Sequence, residues 1–204
     1  MKHHELLAYK IDYEAWAKKC IAAGTRDKQW DLVVEKIGPE IYRFPLFTPE
    51  MCAMLIDEGE SAGKWTKARH EFYPTTDVLL DDIGLKDMYT HVLENYCHPI
   101  ARHIWKLDGS KWHKEITSED FMARYIDTEQ AALDIHQDFA DYSFTVGLNA
   151  DFEGGGTWFP RQQVLANPKS GYCVLFPSVT HRHGGRPTTK GKRYIIVSFV
   201  RKGT

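Results

Sequence analysis

Residues 171–200 read GYCVLFPSVTHRHGGRPTTKGKRYIIVSFV. Two apolar runs, 171–176 and 193–200, flank a polar stretch that holds His181, His183, Gly184, Gly185 and Pro187. Short runs rich in Val, Ile, Tyr and Phe, bounded by Gly and Pro, are strand signals. Working back along the chain, runs at 121–126, 143–149 and 157–160 repeat the pattern between Gly, Pro, Asn and Asp. Closely spaced strands with no helical segment between them predict an antiparallel sandwich or jelly roll, not an alternating βαβ fold. Cys173 falls in an alternating apolar strand and is expected in the core.

Upstream of residue 121 the periodicity changes. Residues 1–37 read as helical, with Trp16, Cys20 and Ala23 on one stripe and Trp30, Val33, Val34 and Ile37 on the next, ended by Gly38-Pro39. A second helix is expected from Thr48, whose hydroxyl can cap it and whose neighbour Pro49 suits the first turn, fading near Gly63. A third spans 86–105, where Met88, Val92, Tyr96, Ile100 and Ile104 recur every four residues and Pro99 predicts a kink or break. No repeat or long linker interrupts the chain. The expected organisation is one domain over 1–204, with a helical extension at 1–43, a catalytic part at 44–204 and a jelly-roll core from about residue 121.

The 204 residues carry a net charge of −2, 43% apolar and 13% aromatic side chains. This is ordinary globular composition, and the concentrated positive field of a nucleic-acid binder is missing. A small or peptide partner is expected. The cations between Arg182 and Lys202 read as a solvated face or as a guide for an anionic cosubstrate. Four cysteines, Cys20, Cys52, Cys97 and Cys173, show no C-x-x-C pair, so neither a zinc knuckle nor a dense disulfide framework is encoded. No run approaches the length of a membrane span.

The chemistry concentrates in two pairs, His136 with Asp138 and His181 with His183. His136 and Asp138 lie two apart, a spacing that in extended chain sends an imidazole and a carboxylate to the same face. Alone that is a weak signal. It gains weight from His181 and His183 downstream and from Arg193 ten residues further on. Two histidines and one carboxylate make the facial triad of non-haem Fe(II) oxygenases, which leaves open positions for a cosubstrate and dioxygen. An arginine fork is suited to a distal carboxylate. Strand parity does not choose between His181 and His183, because both would point the same way. Gly154, Gly155 and Gly156 lack the Lys-Ser/Thr of a phosphate loop and read as a sheet turn. Ser143, Ser178 and Ser198 lie in no G-x-S-x-G elbow, so a hydrolase is not expected.

The order HQD-x5-FTVGLN (136–149), DFEGGGTWF (151–159) and PSVTHRHGGRPTTKGKRYIIVSFV (177–200) resembles the carboxy-terminal catalytic domain of procollagen lysyl hydroxylases. FPLFTPEMC, the Trp65 and Arg69-His70 region, PTTDV and RYIDTEQ extend the resemblance over roughly residues 44–200. It implies a mainly β fold with flanking helices, the double-stranded β-helix (jelly-roll) of 2-oxoglutarate/Fe(II) dioxygenases. It also implies His136, Asp138 and His183 as iron ligands, Arg193 on the far carboxylate of 2-oxoglutarate, and Tyr125 on the same cosubstrate. Thr145 stands where animal members have Asn. Family cysteines near the Gly154 turn are replaced by Thr157 and Val164, and the first forty residues carry no resemblance.

The implied activity is hydroxylation of peptidyl lysine at C5 in collagen-like Gly-X-Lys sequences, with release of succinate and carbon dioxide. Fe(II), 2-oxoglutarate and ascorbate are the implied cofactors, and a homodimer the implied assembly. The alternatives are a prolyl hydroxylase-type dioxygenase, a family that commonly uses Lys where this chain has Arg193, and a non-catalytic jelly-roll binding module of a larger protein. Family members act in the endoplasmic reticulum lumen, yet neither a signal nor a retention sequence is visible, so the compartment stays open. Because an unpaired buried ammonium is costly, an acidic group is expected at the mouth of a lysine site, with Asp134 and Asp141 as candidates.

Overall fold

A computed structural model describes residues 1–70, 72–106 and 116–202. Its helices are α1 (Tyr13–Cys20), α2 (Ala23–Arg26), α3 (Trp30–Val33), α4 (Pro49–Ala62), α5 (Lys86–Val92) and α6 (His98–Trp105). Its strands are β1 (Glu35–Gly38), β2 (Ile41–Pro45), β3 (Thr76–Leu79), β4 (Ile116–Ile126), β5 (Leu133–His136), β6 (Tyr142–Gly147), β7 (Glu153–Gly154), β8 (Thr157–Phe159), β9 (Val164–Ala166), β10 (Tyr172–Pro177), β11 (His183–Gly185), β12 (Thr188–Lys190) and β13 (Lys192–Lys202). A seven-stranded sheet runs β1-β2-β10-β6-β13-β4-β3, a four-stranded one β5-β11-β8-β9, and β12 pairs with β7.

Period-two alternation divides the large sheet into two faces with different jobs. Tyr194, Ile196 and Val200 of β13, Phe144 and Val146 of β6, and Cys173 and Leu175 of β10 join the main core with Leu55, Met88, Val92 and Ile100 of the helices. The residues between them point the other way. Phe121, Ala123 and Tyr125 of β4 cluster with Ile195, and Val174 and Phe176 of β10 cluster with Phe159. The central strands are therefore apolar on both sides, as their near-continuous hydrophobic runs require. All four cysteines are buried and free.

The Thr48 start is as expected: its Oγ1 accepts from Met51 N at 3.2 Å, Pro49 occupies the first turn, and Gly63 ends α4 at φ 63°. At Pro99 the helix does not break, because α5, a π-helical turn and α6 run on without interruption. The π-helical turn, Leu93–Cys97, leads directly into α6, whose first turn holds the proline where its missing N–H costs least.

The helical reading of residues 1–37 needs correction at its end. A 3-10 segment (His4–Lys10), α1, α2 and α3 are helical, but 35–38 form β1, which pairs antiparallel with β2 (Glu35↔Arg43). β2 runs across the expected boundary at residue 43 and pairs with β10, and β3, also ahead of residue 121, pairs with β4. Strands from the first half of the chain thus complete the sheet that carries the site.

Candidate active site

His136 closes β5 and His183 opens β11, and the two face each other in register with ring centroids 4.5 Å apart. That pairing depends on Gly184, where a Cβ would lie 2.7 Å from the Leu133 carbonyl oxygen. Each imidazole is oriented by its own backbone. His136 Nδ1 lies 2.8 Å from Asp134 O, and His183 Nδ1 lies 2.9 Å from His181 O. A carbonyl only accepts, so Nδ1 carries the proton in both rings and the Nε2 lone pairs turn inward. Phe159 and Phe176 pack on His183, and Tyr73 packs on His136.

Asp138 lies two residues beyond His136, past the end of β5 rather than within it, and its two oxygens differ in surroundings. Oδ2 accepts from Ser143 Oγ at 2.6 Å, and Ser143 in turn contacts Ser178 Oγ at 2.7 Å. Oδ1 is buried without a hydrogen-bond partner, 3.2 Å from His136 Nε2 and 3.6 Å from His183 Nε2. One ligand atom from each of the three lies within 4.8 Å of the others. Two lone pairs and an orphaned carboxylate oxygen converge with no donor among them, which is the donor set a divalent iron accepts. The residues present fit the metal. Burial alone would raise Asp138, but the two imidazoles and the Ser143 hydroxyl overcome it and hold the carboxyl below its ordinary value. For His183 burial prevails over the attraction of Asp138 and lowers its pKa, whereas for His136 burial is outweighed by Asp138 and its pKa is raised.

The inward face of the sheet forms the floor of a cavity of about 350 Å³ that His136, Asp138 and His183 also line. At its deep end Arg193, 3% exposed, pairs in register with Tyr125 and lies 5.3 Å over the Tyr125 ring. Its Nη2 makes one long contact, 3.4 Å, to Thr157 Oγ1. Among the described residues it forms no ion pair. Burial pulls its pKa down and Tyr125 pushes it up. Five donors in a buried pocket with one weak protein acceptor call for a ligand carboxylate. Thr145, buried on β6 in the row of Val197 and Phe121, lines the same cavity.

His181 does not join the triad. Its Nε2 donates to Pro39 O in the β1–β2 turn at 2.9 Å and its Nδ1 accepts from Thr180 Oγ1 at 2.9 Å, so both nitrogens are already committed. Asp134 and Asp141 also need correction as mouth carboxylates. Asp134 is exposed on β5, Asp141 Oδ2 accepts from Lys202 N at 2.8 Å, and neither lines the cavity. Among the described residues the acidic groups that do are Asp138 and Glu119. Ser143 and Ser178 serve the carboxylate rather than any hydrolysis. Sequence reasoning missed that role, although a serine five residues after the H-x-D aspartate, on a strand, was the available signal. Ser143→Ala should weaken Fe(II) affinity about 10- to 100-fold, the usual cost of losing a group that orients a metal ligand. Unchanged affinity in an iron titration would remove Ser143 from the account.

Residues 2–109 match the OGFOD2-like domain model, and residues 121–201 match that of the 2OG-Fe(II) oxygenase superfamily. The chain belongs to the OGFOD2-like family and carries a 2OG-Fe(II) oxygenase domain. It is 36% identical over 182 residues to the multifunctional procollagen lysine hydroxylase and glycosyltransferase LH3 of Rattus norvegicus, covering 82% of this chain and 24% of that protein. To procollagen-lysine,2-oxoglutarate 5-dioxygenase 1 of Gallus gallus it is 32% identical over 212 residues, covering 97% and 29%. The chain therefore spans about a quarter of the length of these relatives. The lysyl hydroxylase resemblance is borne out, and the expectation that the first forty residues carry none of it is corrected, since the Gallus gallus alignment takes in 97% of the chain.

Solved structures show the same fold. The viral collagen prolyl hydroxylase vCPH from Paramecium Bursaria Chlorella virus-1 matches with a TM-score of 0.54 at 19% identity, over 81% of this chain and 97% of that one. A Pseudomonas putida prolyl-4-hydroxylase matches with a TM-score of 0.61 at 14% identity, over 81% and 94%. The mainly β, jelly-roll expectation with flanking helices is met. The domain is that of a dioxygenase. Among the described residues no helix is long and apolar enough to cross a membrane.

Proposed function

We propose that this chain is an Fe(II)- and 2-oxoglutarate-dependent dioxygenase that hydroxylates peptidyl lysine at C5 in collagen-like Gly-X-Lys sequences. The observation that carries the dioxygenase part is the buried, partnerless Oδ1 of Asp138 between two inward-facing Nε2 atoms, in a cavity whose far end holds the unpaired Arg193 guanidinium. The lysine part rests on the relatives, whose names specify procollagen lysine.

In this reading His136 and His183 hold the metal through Nε2, and Asp138 holds it through Oδ1. The bound iron and 2-oxoglutarate supply dioxygen-dependent hydroxylation of an unactivated C–H bond. One oxygen atom goes to the peptide and the other to succinate as carbon dioxide leaves. The protein's contribution is placement. Arg193 grips the far carboxylate of 2-oxoglutarate with a planar fork, Tyr125 stacks beneath it, and Thr145 contributes a hydroxyl to the wall. Ile195, Val197 and Phe121 exclude water from the space between. Ascorbate as reductant and a homodimeric assembly belong to the same proposal.

Incubation of the chain with Fe(II), 2-oxoglutarate, ascorbate and a Gly-X-Lys peptide is expected to give succinate and a peptide heavier by one oxygen. Fragmentation should place that oxygen on lysine. Oxygen on proline with lysine unmodified would reject the lysyl assignment and leave the dioxygenase standing, whereas no succinate at all would reject both.

A further inference from the structure

The cavity floor has a direction. In register, Arg193 faces Tyr125, Ile195 faces Ala123, Val197 faces Phe121, and Phe199 faces Glu119. Burial falls along that series, from Arg193 and Tyr125 at the closed end to Phe199, Glu119 and the exposed Arg201 at the open end. The floor therefore reads cation, aliphatic and aromatic wall, then carboxylate, from bottom to mouth. Phe72 (81% exposed) and Phe139 (89% exposed) stand at the rim of the same cavity.

Glu119 is fixed from behind. Its Oε1 accepts from Arg69 Nη2, while Arg69 Nη1 donates to Asp77 Oδ1 at 2.6 Å and the guanidinium lies 4.9 Å over the Phe121 ring. Asp77 is fully buried, takes a second hydrogen bond from Thr75 Oγ1 and has His70 Nε2 3.6 Å from its Oδ2. Two carboxylates share the one Arg69 guanidinium, and of the two Glu119, its side chain 36% exposed, is the one that lines the cavity. Arg201, the other cation of this rim, turns its Nε to the Phe139 carbonyl at 2.8 Å.

Glu119 also shares a cross-strand row with the metal site. Ser143, which holds Asp138, pairs with Phe199, and Phe199 pairs with Glu119. Two strand spacings separate the Ser143 and Glu119 backbones by about 10 Å. A side chain presented to the metal end of this row lies across Phe199 and beside Phe121, which suits methylenes, and a positive end group pointing along the row would meet the Glu119 carboxylate beside two aromatic rings.

We infer that Glu119, positioned by Arg69 on buried Asp77, is the specificity residue that receives the ammonium of the substrate lysine. This rests on the lysyl hydroxylase reading and names the group that would select lysine over proline, which has no charge for Glu119 to meet.

The test measures binding of two peptides that differ only in the target side chain, Gly-X-Lys and the uncharged Gly-X-norleucine, to the chain loaded with Fe(II) and 2-oxoglutarate. Wild type should bind the lysine peptide about 10- to 100-fold more tightly, the usual effect of a charge-assisted contact. In Glu119→Gln that preference should collapse toward unity through loss of lysine-peptide affinity alone, and Glu119→Asp should restore part of it. An unchanged lysine-to-norleucine ratio in Glu119→Gln would overturn the inference, as would equal weakening of both peptides, the mark of a merely structural role. Oxygen found on lysine with the ratio unchanged removes only Glu119. Oxygen found only on proline removes the lysyl reading itself.

Discussion

His136→Ala, Asp138→Ala and His183→Ala are each expected to reduce 2-oxoglutarate turnover to background and to bring bound iron well below one per chain. The three side chains are buried and share one centre, and among the described residues no further His, Cys, Asp or Glu joins the cluster to replace a lost atom. The charge balance makes the losses unequal. Without Asp138 two neutral imidazoles remain, whereas without one histidine the carboxylate keeps its charge but loses a nitrogen ligand and an opposing wall. His181→Ala is the discriminating control. It removes the bond to Pro39 O and leaves that carbonyl in search of a partner, which should cost about 1–3 kcal/mol of stability. Turnover at a temperature where the variant is folded should persist. Loss of iron in His181→Ala together with a working His183→Ala would reverse the assignment.

Arg193→Lys carries the second large expectation. The variant keeps a cation but not the planar fork, and its ammonium would sit where Arg193 stacks on Tyr125. Apparent affinity for 2-oxoglutarate should fall by about 1.5–3 kcal/mol, the range for a hydrogen bond to a charged group. Iron content should not change, because Arg193 touches none of the three ligands. Gly155 lies behind this expectation: at φ 70° a Cβ there would come within 3.0 Å of Arg193 Cδ, so the glycine turn gives the guanidinium stem its room. An unchanged 2-oxoglutarate response in a tight, iron-loaded variant would mean that another cation holds the carboxylate.

What the sequence made legible follows from how local each signal is. The runs around 143–149, 171–176 and 193–200 are strands in the structure because their alternation is self-contained and their boundaries are marked by Gly and Pro. The cap at Thr48 is equally local. Residues 35–38 were misread because Val33, Val34 and Ile37 suit a short helix as well as a strand, and only pairing with β2 decides between them. The choice of His183 over His181 was illegible from parity, since two residues of one strand point the same way. In the structure His181 lies outside β11, in the loop that carries it to Pro39. Asp134 and Asp141 were proposed for the mouth because they neighbour the H-x-D pair in sequence. Glu119 reaches the cavity instead through the β4–β13 register, which no neighbourhood in sequence reveals.

Crystals soaked with Mn(II), as a stand-in for Fe(II), and 2-oxoglutarate would test the central claim most directly. The expected anomalous peak lies among Nε2 of His136, Nε2 of His183 and Oδ1 of Asp138, with the far carboxylate of 2-oxoglutarate on Arg193. A metal bound through His181, or a cosubstrate carboxylate held away from Arg193, would contradict it.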